Sequence, residues 1–424
     1  MGQALEKPKL FPETKSFVWF FVIMSVLIGF RVWYEYHAYK TFISKPFYYT
    51  YATVITSYEK TKNAKRYKVL KLKSDDGFTF YTTSHQKKDF NHTRLRLQLF
   101  PNKSISFSSY LGTFYVKSKI KNTEVLPPTF KDSLLHAVNK QHNEEAIASF
   151  YNAIFFATPI DPKLREKIAL LGVSHLVALS GFHLGILWAL VYGLMLLMYR
   201  PFQQKFFPYR HALFDVGLVA IVVLGMYVWF VGFPPSLLRS YAMVVLGWAM
   251  LLLAIELLSF TFLASVFLLL CLAFPSLLVS LSFWLSVAGV FYIFLLLQYT
   301  KQWNKWLITL LVIPLGIFAL MLPIVHGVFA VTSGYQLLSP LLSLLFIIFY
   351  PLVMLLHSIG FGGVFDSVLL ALFSLAKESS EHLLPWWGVA MYIALSLSAI
   401  WYRKVFYVLL GFSLLYMFYL FISV

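Results

Sequence analysis

Long apolar runs fill the last two thirds of the chain, whereas a stretch near the front alternates apolar and polar residues. A run of roughly 20 apolar residues is long enough to cross a bilayer as a helix. The first apolar run is Phe17–Phe30, and ten more follow it. The pattern therefore predicts eleven membrane segments. The ten later runs lie near 175–198, 213–231, 240–258, 260–279, 281–299, 306–325, 338–357, 364–376, 384–402 and 405–423.

The first apolar run carries basic residues on both sides, with Lys15 before it and Arg31 after it. A cleaved signal peptide would end in a pattern of small residues. The residues from Arg31 to Glu35 lack that pattern. We therefore predict an uncleaved first span with its N-terminus in the cytoplasm.

Residues 45–120 show the period of two that is typical of strands, with turn-forming residues such as Asp75, Asp76 and Gly77 between the segments. Five short strands fit a small antiparallel barrel of the OB type. A β-sandwich fits almost as well. The predicted strands are Tyr49–Tyr58, Arg66–Lys73, Gly77–Thr83, Arg94–Phe100 and Thr113–Ile120.

Residues 131–171 have an amphipathic helical pattern with a break at Thr158–Pro162. The predicted fold class is thus an α-helical polytopic membrane protein with an inserted small β-barrel (OB-like) soluble domain. The predicted divisions are an N-terminal anchor at 1–31, a basic domain at 32–130, a helical connector at 131–171 and a multi-pass domain at 172–424.

Composition excludes an ordinary soluble domain, because 59% of the residues are hydrophobic and only 12% are charged, whereas about 25% is usual. The one cysteine, Cys271, excludes an intramolecular disulfide and a cysteine-based metal cluster. The sequence has no phosphate-binding Gly-Lys-Ser/Thr loop and no His/Asp cluster with metal-ligand spacing. No cofactor or metal is therefore predicted.

The net charge of +17 is concentrated at the front, where residues 40–124 contain 17 basic and 5 acidic residues. Such a surface suits a polyanion, either nucleic acid or anionic lipid, although it also keeps a domain soluble. If all eleven segments cross, the later basic clusters fall on the cytoplasmic side and the basic domain on the external side. The run at 364–376 is short, and if it does not cross the membrane, the segments after it have the opposite orientation. The clusters are Arg200/Lys205/Arg210, Lys301/Lys305 and Arg403/Lys404.

Polar residues interrupt the apolar pattern at the start of the second predicted segment. Ser180 and His183 are three residues apart and would share a helix face. Gly181 and Gly185 would let another helix approach closely. Polar groups in a membrane usually face a partner or a wet cavity. Capping or packing by the serine and the histidines explains this motif equally well.

Two further polar elements follow. Pro234 and Pro235 break a helix just before Arg239, which would neutralise a phosphate or extend to the membrane interface. Serines then recur through an aromatic helix as far as Ser286. They line a polar groove or simply pack between helices.

Together these segments resemble the ComEC family of competence proteins. The run from His175 to Gly185 matches the family's His-Leu-Leu-Ala-Ile-Ser-Gly-Leu-His-Val-Gly element, with only apolar-for-apolar changes. Gly232…Pro235-Ser236…Arg239…Met243 is similar to its Pro-Ser-x-x-Arg-Ala-x-x-Met element, with Ser240 in place of alanine. Pro275…Phe283-Trp284-Leu285-Ser286 is similar to a third element with Trp284 in place of glutamine, and Ser339–Ser343 to a fourth that has lost its asparagine.

The resemblance implies a channel, not an enzyme, that moves single-stranded DNA across the cytoplasmic membrane during natural transformation. It also implies a periplasmic DNA-binding receptor, a cytoplasmic helicase-like motor and surrounding lipids as partners, with self-association left open. Because the chain stops at Val424, we expect a short form without the metallo-β-lactamase-like domain of many relatives. The implied channel residues are His175, Ser180, Gly181, His183, Gly185, Pro235, Arg239, Phe283 and Ser286.

Under this hypothesis the basic domain faces the periplasm and collects single strands. Phosphates would be attracted by its cations, and bases would stack on its aromatic rings, some of which must instead be core. The predicted phosphate-binding residues are Lys62, Lys65, Arg66, Lys68, Lys71, Lys73, Arg94 and Arg96, and the predicted stacking residues are Tyr67, Phe80, Tyr81 and Phe107.

Two alternatives belong to other classes. One is a transporter or flippase of an anionic lipid or polysaccharide, with the basic domain resting on headgroups. The other is an intramembrane serine protease that uses Ser180 and a histidine, although such enzymes favour Gly-x-Ser-Gly and this chain has Ala178 at the first glycine position.

Overall fold

The computed structural model describes residues 8, 10–62, 65–86, 88, 90–253, 256, 259–376 and 378–422. The chain forms two compact units. The sheet unit comprises Glu13–Ser133 and Phe267–Leu281. The helical unit comprises Met1–Pro12, Leu134–Val266 and Ser282–Val424.

The sheet unit begins with helix α1 (Thr14–Ser44), which contains the predicted first span. Its 31 residues extend well beyond the roughly 20 that a bilayer requires. The apolar residues of its first half are exposed, as with Trp19, whereas Phe42 near its end is buried. The Phe42 ring lies 5.6 Å from the rings of Phe78 and Phe114. The end of α1 is thus part of the core of the sheet unit.

Six strands follow, close to the five that the alternating pattern predicts. The difference lies at the last one, which is divided in two at Val116. A short helix, α2 (Phe107–Leu111), precedes the division and is capped by Ser106, which accepts a hydrogen bond from Ser109 N. The strands are β1 (Tyr48–Lys62), β2 (Lys65–Ser74), β3 (Thr79–Ser84), β4 (Thr93–Phe100), β5 (Thr113–Tyr115) and β6 (Lys117–Val125).

The strands form one sheet in the order β5-β3-β2-β1-β4-β6. All neighbours are antiparallel except β3 and β5. The closed OB-like barrel that we predicted is not seen, because no ladder within the described residues joins β5 to β6. Val116 separates these two strands: its N–H donates to Tyr81 O and its side chain is buried. Thr82 Oγ1 lies 2.8 Å from Ser118 Oγ and links β3 to β6 by side chains instead.

The alternation along each strand separates a core face from an outer face. On β4, Leu95, Leu97 and Leu99 are fully buried, while Arg94 and Arg96 point the other way. This is the period of two expected of a sheet with one face on a core. The same parity buries Phe80 on β3.

The helical unit includes most of the predicted connector. Helix α3 (Phe130–Asn139), α4 (Glu145–Phe156) and α5 (Pro162–Leu170) cover it, and the predicted break falls between α4 and α5. Asp161 caps α5 by accepting a hydrogen bond from Leu164 N. Helix α4 is buried on nearly every side, since eight of its twelve residues are core residues.

Eight helices among the described residues are long and apolar enough to cross a membrane, and three apolar helices are shorter. The first of the eight is α1. The other long helices are α7 (Gly181–Phe206), α8 (Ala212–Phe230), α9 (Pro235–Leu252), α11 (Leu281–Thr300), α12 (Lys305–Leu307) continued by a π turn into α13 (Ile313–Val325), α14 (Ser339–Ser358) with its preceding 3-10 turn (Gly334–Leu338), and α17 (Arg403–Ile422). The shorter ones are α10 (Phe260–Ala273), α15 (Asp366–Leu375) with the 3-10 turn Gly362–Phe365, and α16 (Trp386–Ser398).

The helix bounds correct three of the predicted segments. The run near 175–198 is broken, because α6 (Ser174–Val177) ends before the extended residue Ser180 and α7 begins at Gly181. The run near 240–258 begins earlier, at Pro235. The run at 364–376 contains α15 of ten residues, which spans only about 15 Å at 1.5 Å per residue. The number of crossings, and so the side of the sheet unit, stays a prediction.

Two very short strands complete the helical unit. β7 (Val331–Thr332) pairs antiparallel with β8 (Ser380–Glu381). The 3-10 turn Pro275–Val279 belongs to the sheet unit.

Replacing Phe80 with alanine should lower the free energy of unfolding of the sheet unit by about 3–5 kcal/mol, because it empties a fully buried ring site. The neighbouring change Tyr81→Ala should cost less than about 1 kcal/mol, because that ring lies on the outer face. Urea titration followed by amide hydrogen exchange in β1–β4 measures both. Equal losses for the two variants would contradict the assigned faces.

Candidate functional site

Helix α7 begins at a cap formed by two of the predicted motif residues. Ser180 has an extended backbone and precedes the first helical residue, Gly181. The Ser180 N–H donates to His183 Nδ1 at 3.3 Å, and Ser180 Oγ lies 3.3 Å from the same nitrogen. The His183 ring is fully buried, 5.0 Å from Phe346 and 4.9 Å from Tyr350. The serine and histidine therefore form a cap, which is one of the two readings that the sequence left open.

The start of α9 packs directly against this cap. Gly232 and Phe233 both have positive φ, and Pro235 is the first residue of α9, so the chain turns sharply before the helix. Ser236 Oγ then donates to Leu179 O at 2.8 Å. A Cβ at Gly181 would collide with Ser240 Oγ. The glycine at this position is therefore required by the close approach of α9.

Arg239 joins three of the polar elements in one buried cluster. Its Nε donates to Ser286 Oγ at 3.0 Å, and its Nη2 donates to Ser240 Oγ at 2.7 Å. Its Nη1 lies 2.9 Å from Met243 Sδ. The residue is 4% exposed, so it does not extend to an interface. We name this cluster the motif junction: Ser180, Gly181, His183, Ser236, Arg239, Ser240 and Ser286.

The charge of Arg239 has only neutral partners. None of the ion pairs in the described part of the chain includes it. The N-termini of α7 and α9 lie at the same place, and helix N-termini carry partial positive charge. A buried charge without a counter-charge is expensive, so the site favours an anion.

The fourth polar element contacts the residues just before the cap. Ser339 Oγ donates to Gly172 O at 3.0 Å. The His175 ring lies between two partners, with Nδ1 3.1 Å from Gly172 O and Nε2 3.1 Å from Ser343 Oγ. His175 is exposed, in contrast to His183. All four elements therefore meet within the helical unit, at α6, α7, α9, α11 and α14.

A family comparison agrees with this convergence. The model of the family described as competence protein matches residues 157–423, which is more than half of the chain. The chain belongs to the competence protein family. This confirms the predicted ComEC-type membership, and the matched range contains the whole motif junction. No curated protein and no solved structure matches the chain.

Within this competence protein, the predicted channel residues fall into different environments. Phe283 is fully buried, and Pro235 is the first residue of α9. A Cβ at Gly185 would meet nothing within 4 Å, so the predicted two-glycine ridge is not formed there. His183 and Arg239 are buried, so in this conformation neither lines an open path.

The outer face of the sheet unit carries cations interleaved with tyrosines. Tyr51 on β1 lies opposite Arg96 on β4. The guanidinium carbons of Arg94 and Arg96 lie 5.1 Å and 5.9 Å from the centre of its ring. We name this surface the basic outer face: Tyr49, Tyr51, Lys71, Lys73, Tyr81, Arg94, Arg96 and Tyr115.

The charges of the basic outer face are only partly compensated. Arg94 pairs with Asp75, and this hydrogen bond raises the pKa of Arg94 above its ordinary value, so the guanidinium stays protonated. Lys71 Nζ lies 5.9 Å from the centre of the Tyr81 ring. Arg96 and Lys73 are exposed and take part in none of the ion pairs of the described residues.

The other predicted DNA-binding residues have different surroundings. Phe80 is core and leaves the set of stacking residues. Phe107 packs against Tyr36 at 5.3 Å, and Tyr67 lies 6.2 Å from His85. Arg66 is exposed near the end of the β1–β2 hairpin, and Lys68 Nζ donates to Lys88 O. The side chains of Lys62 and Lys65 lie outside the described residues.

Sequence reasoning missed Tyr51, the centre of the basic outer face. The signal was present, because Tyr49, Tyr51 and Thr53 alternate with the buried Thr50 and Ala52. Ser343 was seen only as a lost asparagine, and its contact with His175 required the fold.

Replacing Gly181 with alanine should destabilise the helical unit by about 1–3 kcal/mol, because the new methyl group overpacks a closed contact. The matched control is Gly185→Ala, which has free space and gains helix propensity. Thermal unfolding in detergent measures both variants, and a Gly181→Ala protein as stable as Gly185→Ala would contradict the packing.

Proposed function

We propose that this competence protein is the membrane channel that passes single-stranded DNA inward during natural transformation. One observation carries the proposal: three of the four family elements meet at a buried arginine that has no carboxylate partner among the described residues. An uncompensated cation inside an apolar helical unit suits an anionic cargo. A phosphodiester chain is the anion that competence proteins are expected to carry.

The basic outer face would capture the strand before it enters the helices. Phosphates would lie along Lys71, Lys73, Arg94 and Arg96, while bases stack on Tyr51 and Tyr81. Stacking on an aromatic ring is tolerant of sequence because every base has a π-face. In this proposal β5 and β6 act as one interrupted strand, which gives the sheet OB-like connectivity, and the sheet unit faces the periplasm.

The helical unit would then let the strand pass with little retention. Residues 171–424 contain only 9 basic and 5 acidic residues. A path with few cations does not hold a polyanion tightly. Because His183 and Arg239 are buried, we infer that this conformation is closed and that the contacts of the motif junction keep it closed. A cytoplasmic motor would supply the pulling force and a periplasmic receptor would deliver the DNA.

The 3.3 Å contact between Ser180 Oγ and His183 Nδ1 also resembles a nucleophile and its base. The same nitrogen, however, accepts the Ser180 N–H, and the His183 ring is fully buried. The arrangement is that of a helix cap. We therefore do not assign proteolysis to it.

Single-stranded DNA binding tests the capture step. Tyr51→Ala should weaken the binding of a labelled oligothymidine about 5- to 150-fold, because it removes one stacking contact worth about 1–3 kcal/mol. Arg96→Gln should reduce the dependence of log Kd on log salt by about 0.7, the value for one phosphate on a single strand. Fluorescence anisotropy of the full chain in nanodiscs at two salt concentrations gives both.

The matched control for that experiment is Arg165→Gln, which removes an equal charge from an exposed position on α5 of the helical unit. It should leave the affinity and the salt slope unchanged. If Arg165→Gln and Arg96→Gln reduce binding equally, the outer face has no special role. Preference for anionic vesicles over DNA would instead favour the lipid transporter.

DNA uptake by a transformable host tests the motif junction. Arg239→Ala should abolish most delivery of labelled DNA to the cytoplasm, because Ser240 and Ser286 lose their shared donor. Leaving a buried polar group without its hydrogen-bond partner typically costs about 1–3 kcal/mol. Arg403→Gln, an exposed loss of the same charge, should retain uptake at equal protein abundance in the membrane.

Ser180→Ala separates the channel from a protease. It removes a cap worth about 1 kcal/mol but leaves the N–H that donates to His183, so uptake should fall only in part. Complete loss of activity in this variant, at normal abundance, would favour the protease.

A further inference from the structure

Three titratable side chains form a hydrogen-bonded chain at the far end of α14 from Ser339 and Ser343. His142 lies in the turn between α3 and α4, His357 lies at the end of α14, and Asp366 begins α15. His142 Nδ1 is 3.0 Å from both carboxylate oxygens of Asp366, and its Nε2 is 3.0 Å from His357 Nε2. We name these three residues the histidine clasp.

The clasp is embedded in the helical unit. The His142 side chain is fully buried and stacks on Tyr151 at 4.7 Å, and the Tyr151 ring lies 4.4 Å from His357. Gln141 strengthens the connection on both sides. Its Nε2 donates to His357 O at 3.1 Å, and its Oε1 accepts from Gly362 N at 2.8 Å. The turn before α4 is therefore fastened to α14 and to the segment that leads into α15.

The contacts of the clasp require a definite number of protons. His357 Nδ1 lies 2.6 Å from Val353 O, and since a carbonyl only accepts, that nitrogen carries a proton. The contact between the two Nε2 atoms needs a second proton. The contact between His142 Nδ1 and the Asp366 carboxylate needs a third. Two neutral histidines beside an ionised aspartate supply only two.

We propose that the histidine clasp binds one additional proton, between His142 and Asp366, and that the clasp opens when this proton is lost at alkaline pH. With the proton the chain of contacts is complete and the three groups are neutral overall. Without it, the charge of the partly buried Asp366 carboxylate has no positive partner in the clasp, and two acceptors face each other across one contact. Both consequences are unfavourable in a buried site.

Tyr151, Glu145 and Lys140 are other ionisable groups near this contact. Burial raises the pKa of Tyr151 well above its usual value, and the charge of Asp366 raises it further, so the phenol stays neutral. Glu145 lines the same cavity of about 450 Å³ as His142, and Lys140 is exposed in the same turn. A metal does not replace the proton, because Asp366 and His357 lie on opposite sides of the His142 ring and no metal-binding group occurs among the described residues.

Helix α14 connects the clasp to the motif junction. Its first turns carry Ser339 and Ser343, and its middle carries Phe346 and Tyr350 against His183. Pro351, next in the chain, removes a backbone donor from the helix and makes bending easier. Opening of the clasp would free the end of α14 beyond Pro351. In the proposed channel, on which this consequence alone rests, proton loss would weaken the contacts of α14 with the motif junction.

The replacement Asp366→Asn tests the bound proton without any DNA. The amide would donate to His142 Nδ1, so the bridge would be complete with two neutral histidines and no additional proton. Between pH 7 and 9.5 the melting temperature of the natural chain should fall by about 1–2 °C more than that of the variant, a shift of the size expected for one contact in a chain of this length. Thermal unfolding of the full chain in detergent measures the difference.

Asp161→Asn is the matched control, since it makes the same change at the cap of α5 and should keep the alkaline loss of the natural chain. Amide exchange of residues 139–143 and 360–366, corrected for the intrinsic pH dependence, should rise above pH 8 in the natural chain and in Asp161→Asn but not in Asp366→Asn. If Asp366→Asn loses as much stability and protection at alkaline pH as the control, the proposal is wrong. That result would leave the proposed DNA channel untouched.

Discussion

The helical unit depends on a buried guanidinium whose partners, among the residues that the structure describes, are neutral oxygen and sulfur atoms. Arg239 needs the hydroxyls of Ser240 and Ser286, and this requirement fixes α9 against α11. The contact of Gly181 with Ser240 then fixes α7, because no side chain fits between them. The polar positions that stand out in an apolar sequence are therefore the points where the helices are joined. In the proposed function, the uncompensated charge of Arg239 would make the unit receptive to an anion.

In the proposed function the two units divide the work by charge. The sheet unit presents exposed arginines and lysines beside tyrosine rings, an arrangement that would hold single strands by both phosphate and base. The helical unit has much apolar surface and few cations, and among its described residues Arg239 is the buried arginine. Strong binding on the sheet unit would capture the polyanion, and weak binding within the helical unit would not retain it. The proposed histidine clasp would add a proton-dependent contact at the end of α14.

The alternating pattern predicted the strands well because strand faces repeat every second residue, and the outer position of Tyr81 next to the core position of Phe80 follows from it. The pattern did not predict the division of the last strand at Val116. There the chain passes from β5, which pairs parallel with β3, to β6, which pairs antiparallel with β4, and neither partner is adjacent in the sequence. The membrane runs were found from length and apolar character, but the break before Gly181 was not, since apolar residues look alike in a helix and in a turn. The clasp was invisible in the sequence because His142 is separated by 215 residues from His357 and by 224 from Asp366.

The passage of a strand through the helical unit is tested most directly by photocrosslinking during transport. A single strand with a bulky protein at its trailing end and photoreactive thymidines along its length would stall part-way through the full chain in a membrane. The account predicts crosslinks both on the basic outer face, at Tyr51, and within the helical unit near His175 and Ser343. Crosslinks confined to the sheet unit, with none in the helical unit, would contradict the channel.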